Sequence, residues 1–224
     1  MANRLIALQV ETVIVADDHP LFRTAIKEAL QESQGKTTFL EANSFETLQK
    51  LVEVNTDVDL VLLDLHMPGI SGFAGLVYLC KRYPSVPVVI ISANEDPLVI
   101  RRALDHGAAG FIPKSSSIKV ITEAINSILM GEIWAPVSTQ ANLPGSNVSE
   151  LALAERMAQL TPQQFKVLMM VSRGLLNKQI AYDMGISEAT VKAHVTAIMN
   201  KLGVSNRTQA VLAASRLDVT SPDL

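Results

Sequence analysis

Residues 12–128 repeat one pattern of hydrophobic and polar positions. Short runs rich in Val, Ile and Leu are each followed by a longer stretch in which apolar side chains recur every three or four residues. The short runs predict strands and the longer stretches predict helices. The predicted strands cover residues 12–16, 37–42, 60–65, 86–92 and 110–113, and the predicted helices cover residues 20–34, 44–55, 72–83, 97–106 and 118–128.

Five successive units of strand and helix define the fold class. Parallel strands joined by right-handed helical crossovers are the expected arrangement for such a chain. The run at residues 60–65 is apolar on both faces, as in a strand buried between two layers of helices. We therefore predict an α/β domain with a doubly wound, five-stranded parallel sheet over residues 11–130.

The pattern changes after residue 130. Residues 131–157 are mostly rich in Ser, Asn, Gln, Pro and Gly and are predicted to form a linker, although an Ala-rich run from residue 151 could extend a helix. Helical spacing returns at residues 158–218, which we predict to be an all-α domain of four helices. Between two of these helices, Gly185 can adopt a positive φ, and Ala181 is small enough for a steep helix crossing. Both features are typical of a helix-turn-helix.

Length, cysteine content and charge favour two domains in a reducing compartment. The chain has 224 residues, and its single cysteine, Cys80, cannot form an internal disulfide. No apolar run approaches the roughly 20 residues needed to span a bilayer, so we expect a soluble, cytoplasmic protein. Residues 1–155 carry 11 Lys and Arg against 18 Asp and Glu, a net charge of −7, whereas residues 156–218 carry 8 against 3, a net charge of +5. The basic second domain suits a polyanionic partner.

Polar side chains stand at, or directly after, the carboxyl ends of four of the five predicted strands. They are Asp17, Asp18, Asp64, Ser92 and Lys114. Because the carboxyl ends of parallel strands share one edge of the sheet, we expect these side chains to converge. Three neighbouring carboxylates repel one another unless a hard cation lies among them, so the set predicts a Mg²⁺ site. Asp64, which interrupts a buried apolar run, is the candidate reactive group; the alternative is an ordinary strand-end Asp that caps the next helix or meets solvent.

The same residues resemble a known family. The pair Asp17-Asp18, Asp64 within LDLHMPG, Ser92, and Lys114 within GFIPK are similar to the motifs of the receiver domain of bacterial two-component response regulators. The resemblance covers about residues 11–130. It implies a flavodoxin-like sheet in which Asp64 accepts a phosphoryl group from a sensor histidine kinase. It also implies that Asp18, Asp64 and the backbone carbonyl of His66 bind Mg²⁺, that Asp17 assists through water, and that Ser92 and Lys114 contact the phosphoryl oxygens.

Two positions lie at the edge of the receiver pattern. Ser92 stands where Thr is commoner, and it keeps the hydroxyl. Phe111 stands at the aromatic switch position, where Tyr is frequent. It lacks a hydroxyl, but it can still rotate into the space beside Ser92. The alternative for Phe111 is an ordinary core aromatic on a short strand.

The basic domain resembles a second family. LTPQQFKVL, GLLNKQIA, ISEATVKAHV and KLGVSNRTQAV are similar to the four-helix LuxR-type DNA-binding domain, over residues 158–216. The resemblance implies base-reading positions at Lys192, Ala193 and Thr196, and phosphate contacts from Lys178, Thr190 and Lys201. It also implies that the helix after Asn206 forms dimers. Gln164 stands where Glu is usual, which would replace an internal ion pair by a neutral hydrogen bond.

The two resemblances predict a cytoplasmic DNA-binding response regulator, not an enzyme, that regulates transcription when Asp64 is phosphorylated. Its expected partners are double-stranded DNA, a sensor histidine kinase, a second copy of the chain in the phosphorylated or DNA-bound state, and RNA polymerase. The alternative is an Asp-nucleophile phosphotransferase or phosphatase with a basic accessory domain. Such enzymes usually carry a second Asp two residues after the nucleophile, where this chain has His66. A small-molecule-sensing LuxR-type activator would instead need a ligand-binding pocket domain in front.

The opposite charges of the two domains also predict how they communicate. We expect the unphosphorylated protein to hold the acidic and basic domains together, with the recognition helix usable only after they separate. Screening over about 8 Å at physiological salt keeps the general attraction weak.

Overall fold

The computed structural model describes residues 11–34, 37–70, 72–136 and 148–218. The strands are β1 (Thr12–Ala16), β2 (Thr38–Ala42), β3 (Leu60–Leu63), β4 (Val88–Ser92) and β5 (Gly110–Pro113). The helices are α1 (Pro20–Gln34), α2 (Phe45–Val54), α3 (Ala74–Arg82), α4 (Pro97–Asp105), α5 (Ile118–Leu129), α6 (Val148–Ala158), α7 (Pro162–Ser172), α8 (Asn177–Met184), α9 (Glu188–Leu202) and α10 (Arg207–Ser215).

The strands form one parallel sheet in the order β2-β1-β3-β4-β5. β1 lies between β2 and β3, and its Val13 is aligned with Phe39 on one side and Leu60 on the other. β4 joins β3 to β5, and its Ser92 is aligned with Pro113. The predicted doubly wound sheet is therefore confirmed. The neighbouring positions of β1 and β3 create the topological switch point at which open α/β sheets bind ligands.

Helices cover both faces of the sheet. On one face, Ile26 of α1 and Ile125 of α5 are buried against Val15 and Leu62 of the central strands. On the other face, side chains of α2, α3 and α4 are buried against alternate residues of the same strands, such as Ile14, Val61 and Leu63. This two-sided burial explains why β3 is apolar at every position.

The ends of β3, α3 and β4 differ from the predicted ends because of the local backbone. β3 ends at Leu63, so Asp64 lies just beyond the strand. α3 begins at Ala74, two residues later than predicted, because Gly72 has a positive φ of 57° and Phe73 occupies the N-cap. β4 begins at Val88 because Pro87 has no N–H to donate to a strand neighbour.

The second domain is all-α, as predicted. α7 begins with Thr161 at the N-cap and Pro162 in the first turn, and Thr161 and Gln164 form a capping box. α8 ends at Gly185, whose φ of 65° makes the turn into α9, so the helix-turn-helix geometry is confirmed. α6 begins at Val148, inside the segment predicted as linker, and buries Leu153 and Met157 in the core. The helix that the Ala-rich run could extend is therefore present, and it begins three residues before that run. Among the described residues, no helix is both long and apolar enough to cross a membrane.

The two domains pack against each other. Phe165 of α7 is 1% exposed, and its ring lies 5.4 Å from that of Phe45 and 4.9 Å from that of Tyr78, both in the first domain. Lys166 forms an ion pair with Glu46 at 3.0 Å. Through α7, the basic second domain thus contacts the acidic first domain with a buried aromatic ring and an exposed ion pair.

Candidate functional site

An acidic cluster occupies the edge of the sheet where β1 and β3 end. Asp17, Asp18, His19 and Asp64 each place one ligand atom within 4.8 Å of the others. Asp17 is 2% exposed and Asp64 is 3% exposed, whereas Asp18 is half-buried. The backbone fixes this arrangement, because Asp17 N–H donates to Ala42 O at 3.0 Å and Asp64 N–H donates to Ala16 O at 2.9 Å.

Lys114 bridges two of these carboxylates. Its Nζ lies 2.7 Å from Asp17 Oδ2 and 2.9 Å from Asp64 Oδ2. The residue follows β5, and its N–H donates to Ser92 O at 2.8 Å, which ties the ends of β4 and β5 together. The ammonium also lies 5.0 Å from the centre of the Phe22 ring. Convergence of a lysine on two buried acids agrees with the expectation from the strand ends.

Burial and charge oppose each other at this site. Burial raises the pKa of Asp64 and Asp17 raises it further, while the hydrogen bond and charge of Lys114 act in the opposite direction without cancelling them. For Lys114, burial alone would lower the pKa, but hydrogen bonds and attraction from Asp17 and Asp64 outweigh burial and raise it. The ionised Asp64 carboxylate is therefore held in an environment that disfavours its charge, a property typical of functional sites.

The two predicted switch residues are both buried. Ser92 is 0% exposed, and its Oγ accepts a hydrogen bond from Asn94 N–H at 3.2 Å. Phe111 is also 0% exposed; its position is aligned with Ile90, and its N–H donates to Trp134 O at 2.9 Å. The Phe111 ring thus lies inside the core, which both the switch prediction and the core-aromatic alternative allow.

Two histidines near the cluster, His66 and His19, make different contacts with the acidic residues. His66 has an exposed side chain, and its N–H donates to Asp64 Oδ1 at 3.3 Å. His19 is not among the site residues predicted from the sequence, yet its Nδ1 lies 3.1 Å from Asp17 Oδ1 and 2.7 Å from Asp18 Oδ1. The signal in the sequence was its place directly after two strand-end acids.

The donor set suits a hard divalent cation. Asp17, Asp18 and Asp64 offer carboxylate oxygens from two neighbouring strand ends. The buried Oδ1 of Asp18 accepts no hydrogen bond from the described residues, although His19 Nδ1 lies nearby. A cation at this point would reduce the mutual repulsion of the carboxylates, because Lys114 alone offsets only part of that repulsion.

A second surface lies on the basic domain. On α9 the side chains of Lys192, Ala193 and Thr196 are exposed, and no acidic residue follows Glu188 on this helix. The closed packing of the two domains therefore leaves these side chains exposed to solvent. The contact between the domains is made instead by α6, α7 and the end of α10. That α9 is usable only after the domains separate stays a prediction.

The predicted phosphate-contact residues fall into two groups. Lys178 and Thr190 are exposed. Lys201 is half-buried, and its ammonium donates to Gln159 O at 2.8 Å and to Gln164 Oε1 at 2.7 Å. Gln164 thus accepts a hydrogen bond where Glu would form an ion pair, but the donor is the charged ammonium of Lys201, so the bond is charge-assisted and not neutral as expected. Lys201 has an intramolecular role that the sequence did not reveal.

Comparison with known proteins places these sites in one class. Residues 13–126 match the response regulator receiver domain family, and residues 158–214 match the luxR family of bacterial regulatory proteins. The chain therefore belongs to the response regulators that join a receiver domain to a LuxR-type helix-turn-helix domain, and so to the DNA-binding transcriptional regulators of two-component systems. Proteins of this class are in general transcriptional regulators and not enzymes.

Similar proteins span nearly the whole chain. The chain is 42% identical over 214 residues to the glycerol metabolism activator of Pseudomonas putida, covering 93% of this chain and 97% of that protein. It is 32% identical over 202 residues to the nitrate/nitrite response regulator protein NarL of Escherichia coli, covering 90% and 93%. The RcsB response regulator of Salmonella typhimurium has the same fold, with a TM-score of 0.54 at 23% identity over 93% of this chain and 100% of that one.

Proposed function

We propose that Asp64 is the phosphoacceptor and that its phosphorylation controls DNA binding by α8 and α9. The observation that carries this proposal is the position of Asp64, a buried carboxylate paired with Lys114 among two further acids. The domain boundaries that we infer are residues 11–130 for the receiver and 158–218 for the DNA-binding domain. The cytoplasm is the proposed location.

The chemistry uses few groups. An oxygen of Asp64 attacks phosphorus, the phosphorus–nitrogen bond of a kinase phosphohistidine breaks, and the histidine nitrogen leaves with the electron pair. Lys114 then pairs with a phosphoryl oxygen, and Ser92 donates its hydroxyl to another. Asp17, Asp18, Asp64 and the His66 carbonyl would hold Mg²⁺, which when bound neutralises charge on the phosphoryl oxygens. Phe111 would follow Ser92 as the switch residue.

The DNA-binding proposal rests on exposure and charge. The exposed residues Lys192, Ala193 and Thr196 of α9 would contact base edges in the major groove. Phosphate contacts would come from Lys178, Thr190 and, through its remaining donor, Lys201. Two copies of the chain would pair through α10 on two half-sites, and bound protein would contact RNA polymerase.

Phosphorylation of the purified full-length protein by acetyl phosphate with Mg²⁺ tests this proposal. We expect intact-mass spectrometry to show one added phosphoryl group on the wild type and on Asp57→Asn, an exposed control on the same domain. Asp64→Asn should show none, because the amide is not a nucleophile. Asp18→Asn should react slowly and lose most of its dependence on Mg²⁺. An equal adduct on Asp64→Asn would refute the assignment.

A further inference from the structure

A small cavity lies where α2 of the receiver meets α7 of the DNA-binding domain. Its volume is about 130 Å³. Its apolar walls come from both domains, namely from Phe45 and Gly69 of the receiver and from Phe165, Met169 and Met170 of the second domain. An engineered apolar cavity of about 150 Å³ holds a molecule of benzene. The cavity therefore has room for one six-membered ring.

The walls of this cavity suit an aromatic ring. The rings of Phe45 and Phe165 are both buried, and their centres lie 5.4 Å apart with a tilt of 48°. Aromatic rings attract one another at centre-to-centre distances of about 4.5 to 7 Å. Met169 and Met170 add unbranched thioethers, which adapt to the shape of a ligand and make favourable contacts with aromatic rings. A flat aromatic molecule would therefore use more of these walls than a small polar one.

Gln49 supplies an unpaired hydrogen-bond donor to the buried end of the cavity. The residue lines the cavity and is 8% exposed, and its Nε2 has no hydrogen-bond partner among the described residues. The buried hydroxyl of Tyr78 also has none. Burial raises the pKa of Tyr78 to about 12, although the amide of Gln49 is close enough to act in the opposite direction. Because an unpaired buried donor is costly, an acceptor oxygen at this end of the cavity would be favoured.

The exposed end of the cavity is rich in cations. Arg173 lines this end, and its side chain is exposed. Lys166 also lines the cavity and lies 3.0 Å from Glu46. The same Glu46 carboxylate lies 3.3 Å from Lys50, so one anion is shared between two lysines and Arg173 adds a third cation. A positive rim attracts an anionic ligand and repels a cationic one.

We propose that this cavity binds a small aromatic acid that carries a second oxygen opposite its carboxylate. The ring lies against Phe45 and Phe165, the second oxygen accepts a hydrogen bond from Gln49 Nε2, and the carboxylate faces Arg173. Such a molecule contacts both domains, so its binding stabilises the packed arrangement of the chain. The cavity is separate from the acidic cluster around Asp64 and from the exposed face of α9, and it gives the chain a second input in addition to the phosphoryl group.

Three related probes test the proposal by calorimetric titration of the full-length, unphosphorylated protein. The first, 4-hydroxybenzoate, should bind one site with a dissociation constant of about 1 mM or lower, a value that a ligand of this size can reach. Benzoate lacks the hydroxyl and phenol lacks the carboxylate, so each should bind about fivefold more weakly. If none of the three probes shows saturable binding, water alone fills the cavity and the proposal is wrong.

Variants of the two polar residues locate the binding. Gln49→Leu should lose the preference for 4-hydroxybenzoate over benzoate, and Arg173→Gln should lose the preference for 4-hydroxybenzoate over phenol. Lys119→Gln, which removes an exposed cation on α5, should keep both preferences. Without a probe, Gln49→Leu should melt no lower than the wild type, because the substitution removes a buried unpaired donor. If Gln49→Leu and Arg173→Gln both retain the preferences of the wild type, this cavity is not the binding site.

Hydrogen exchange tests whether the ligand contacts both domains. With saturating 4-hydroxybenzoate, peptides that contain Phe45 and peptides that contain Phe165 should both exchange more slowly than without the probe. A peptide that contains Lys192, on the exposed face of α9, should exchange at an unchanged rate. Slower exchange in only one of the two domains would overturn the proposal that the molecule bridges them.

Discussion

Replacing Asp64 by Asn should stabilise the metal-free protein. At an effective dielectric constant of about 20, attraction between Lys114 and Asp64 over 2.9 Å amounts to about 6 kcal/mol. Repulsion between Asp64 and Asp17 over at most 4.8 Å amounts to about 3 to 4 kcal/mol, and Asp18 adds a smaller, solvent-screened amount. Repulsion therefore offsets more than half of the attraction, and the desolvation of a carboxylate that is 3% exposed, which costs several kcal/mol, outweighs the attraction that remains.

The pKa of Asp64 is raised, so burial and repulsion together outweigh the attraction of Lys114 for the ionised carboxylate. A carboxyl group with a raised pKa in the folded state destabilises the fold at any pH above that pKa. The cost disappears as the pH falls below the ordinary pKa of Asp, where the group is protonated in both states. Asn keeps the size of the side chain and removes the charge. We expect a gain of about 1 to 2 kcal/mol at neutral pH, which corresponds to about 2 to 8 °C in melting temperature.

Thermal unfolding followed by circular dichroism in EDTA measures this gain. The difference between Asp64→Asn and wild type should shrink as the pH falls toward the ordinary pKa of Asp, and the exposed control Asp57→Asn should melt with the wild type. Added Mg²⁺ should stabilise the wild type more than Asp64→Asn, because a cation that binds only the folded state raises its stability. A melting temperature of Asp64→Asn at or below that of the wild type in EDTA would show that Lys114 already compensates the buried charge.

Two further predictions concern the DNA surface and the domain contact. Lys192→Ala should cost about 1 to 3 kcal/mol of binding free energy on a selected DNA site and relax the preference at one base pair. Lys178→Ala should weaken binding to all DNA sequences alike and reduce the slope of log affinity against log salt concentration by about one. An unchanged base preference in Lys192→Ala would contradict this division. Burial opposes ionisation of Glu150, but hydrogen bonds from His106 and Arg102 outweigh burial and lower the pKa of Glu150 below the usual 4.5. The contribution of ionised Glu150 to docking of the domains is therefore present above pH 4.5 and is lost as the pH falls below 4.5. X-ray scattering between about pH 7 and about pH 4 should show the radius of gyration increase in the wild type and in the exposed control Glu155→Gln, as the domains separate. The radius of Glu150→Gln should depend less on pH.

The sheet and its strand-end residues could be predicted because their signals are local. Each strand is a short apolar run, and Asp64 and Lys114 each stand directly after one of them. Parallel topology then requires the strand ends to meet, so the pairing of Lys114 with Asp64 follows from chain order alone. The ends of elements were less accurate. The start of α3 depends on the φ of Gly72, and nothing in the residue pattern fixes that angle.

The contact between the domains could not be predicted, because it joins distant residues without a periodic signal. Arg102 and Glu150 are 48 positions apart, and Arg102 and Asp218 are 116 apart. In the sequence, Arg102 reads as one more surface cation on a helix, and net charge indicates only a weak general attraction between the domains. Charge asymmetry therefore predicted that the domains meet, but it did not predict that the end of α10 would be the point of contact.

Both edges of the sheet are protected from other strands. At β5, the segment after α5 runs alongside the strand, where Phe111 N–H donates to Trp134 O at 2.9 Å and Trp134 N–H donates to Ala109 O at 3.3 Å. At β2, the exposed Glu41 forms ion pairs with Arg23 and Lys27, which places charge along the open edge. Charged or covered edges discourage strand addition and aggregation. The merging of sheets from two copies of this chain is therefore disfavoured, and any contact between copies is left to the helices and loops that cover the sheet.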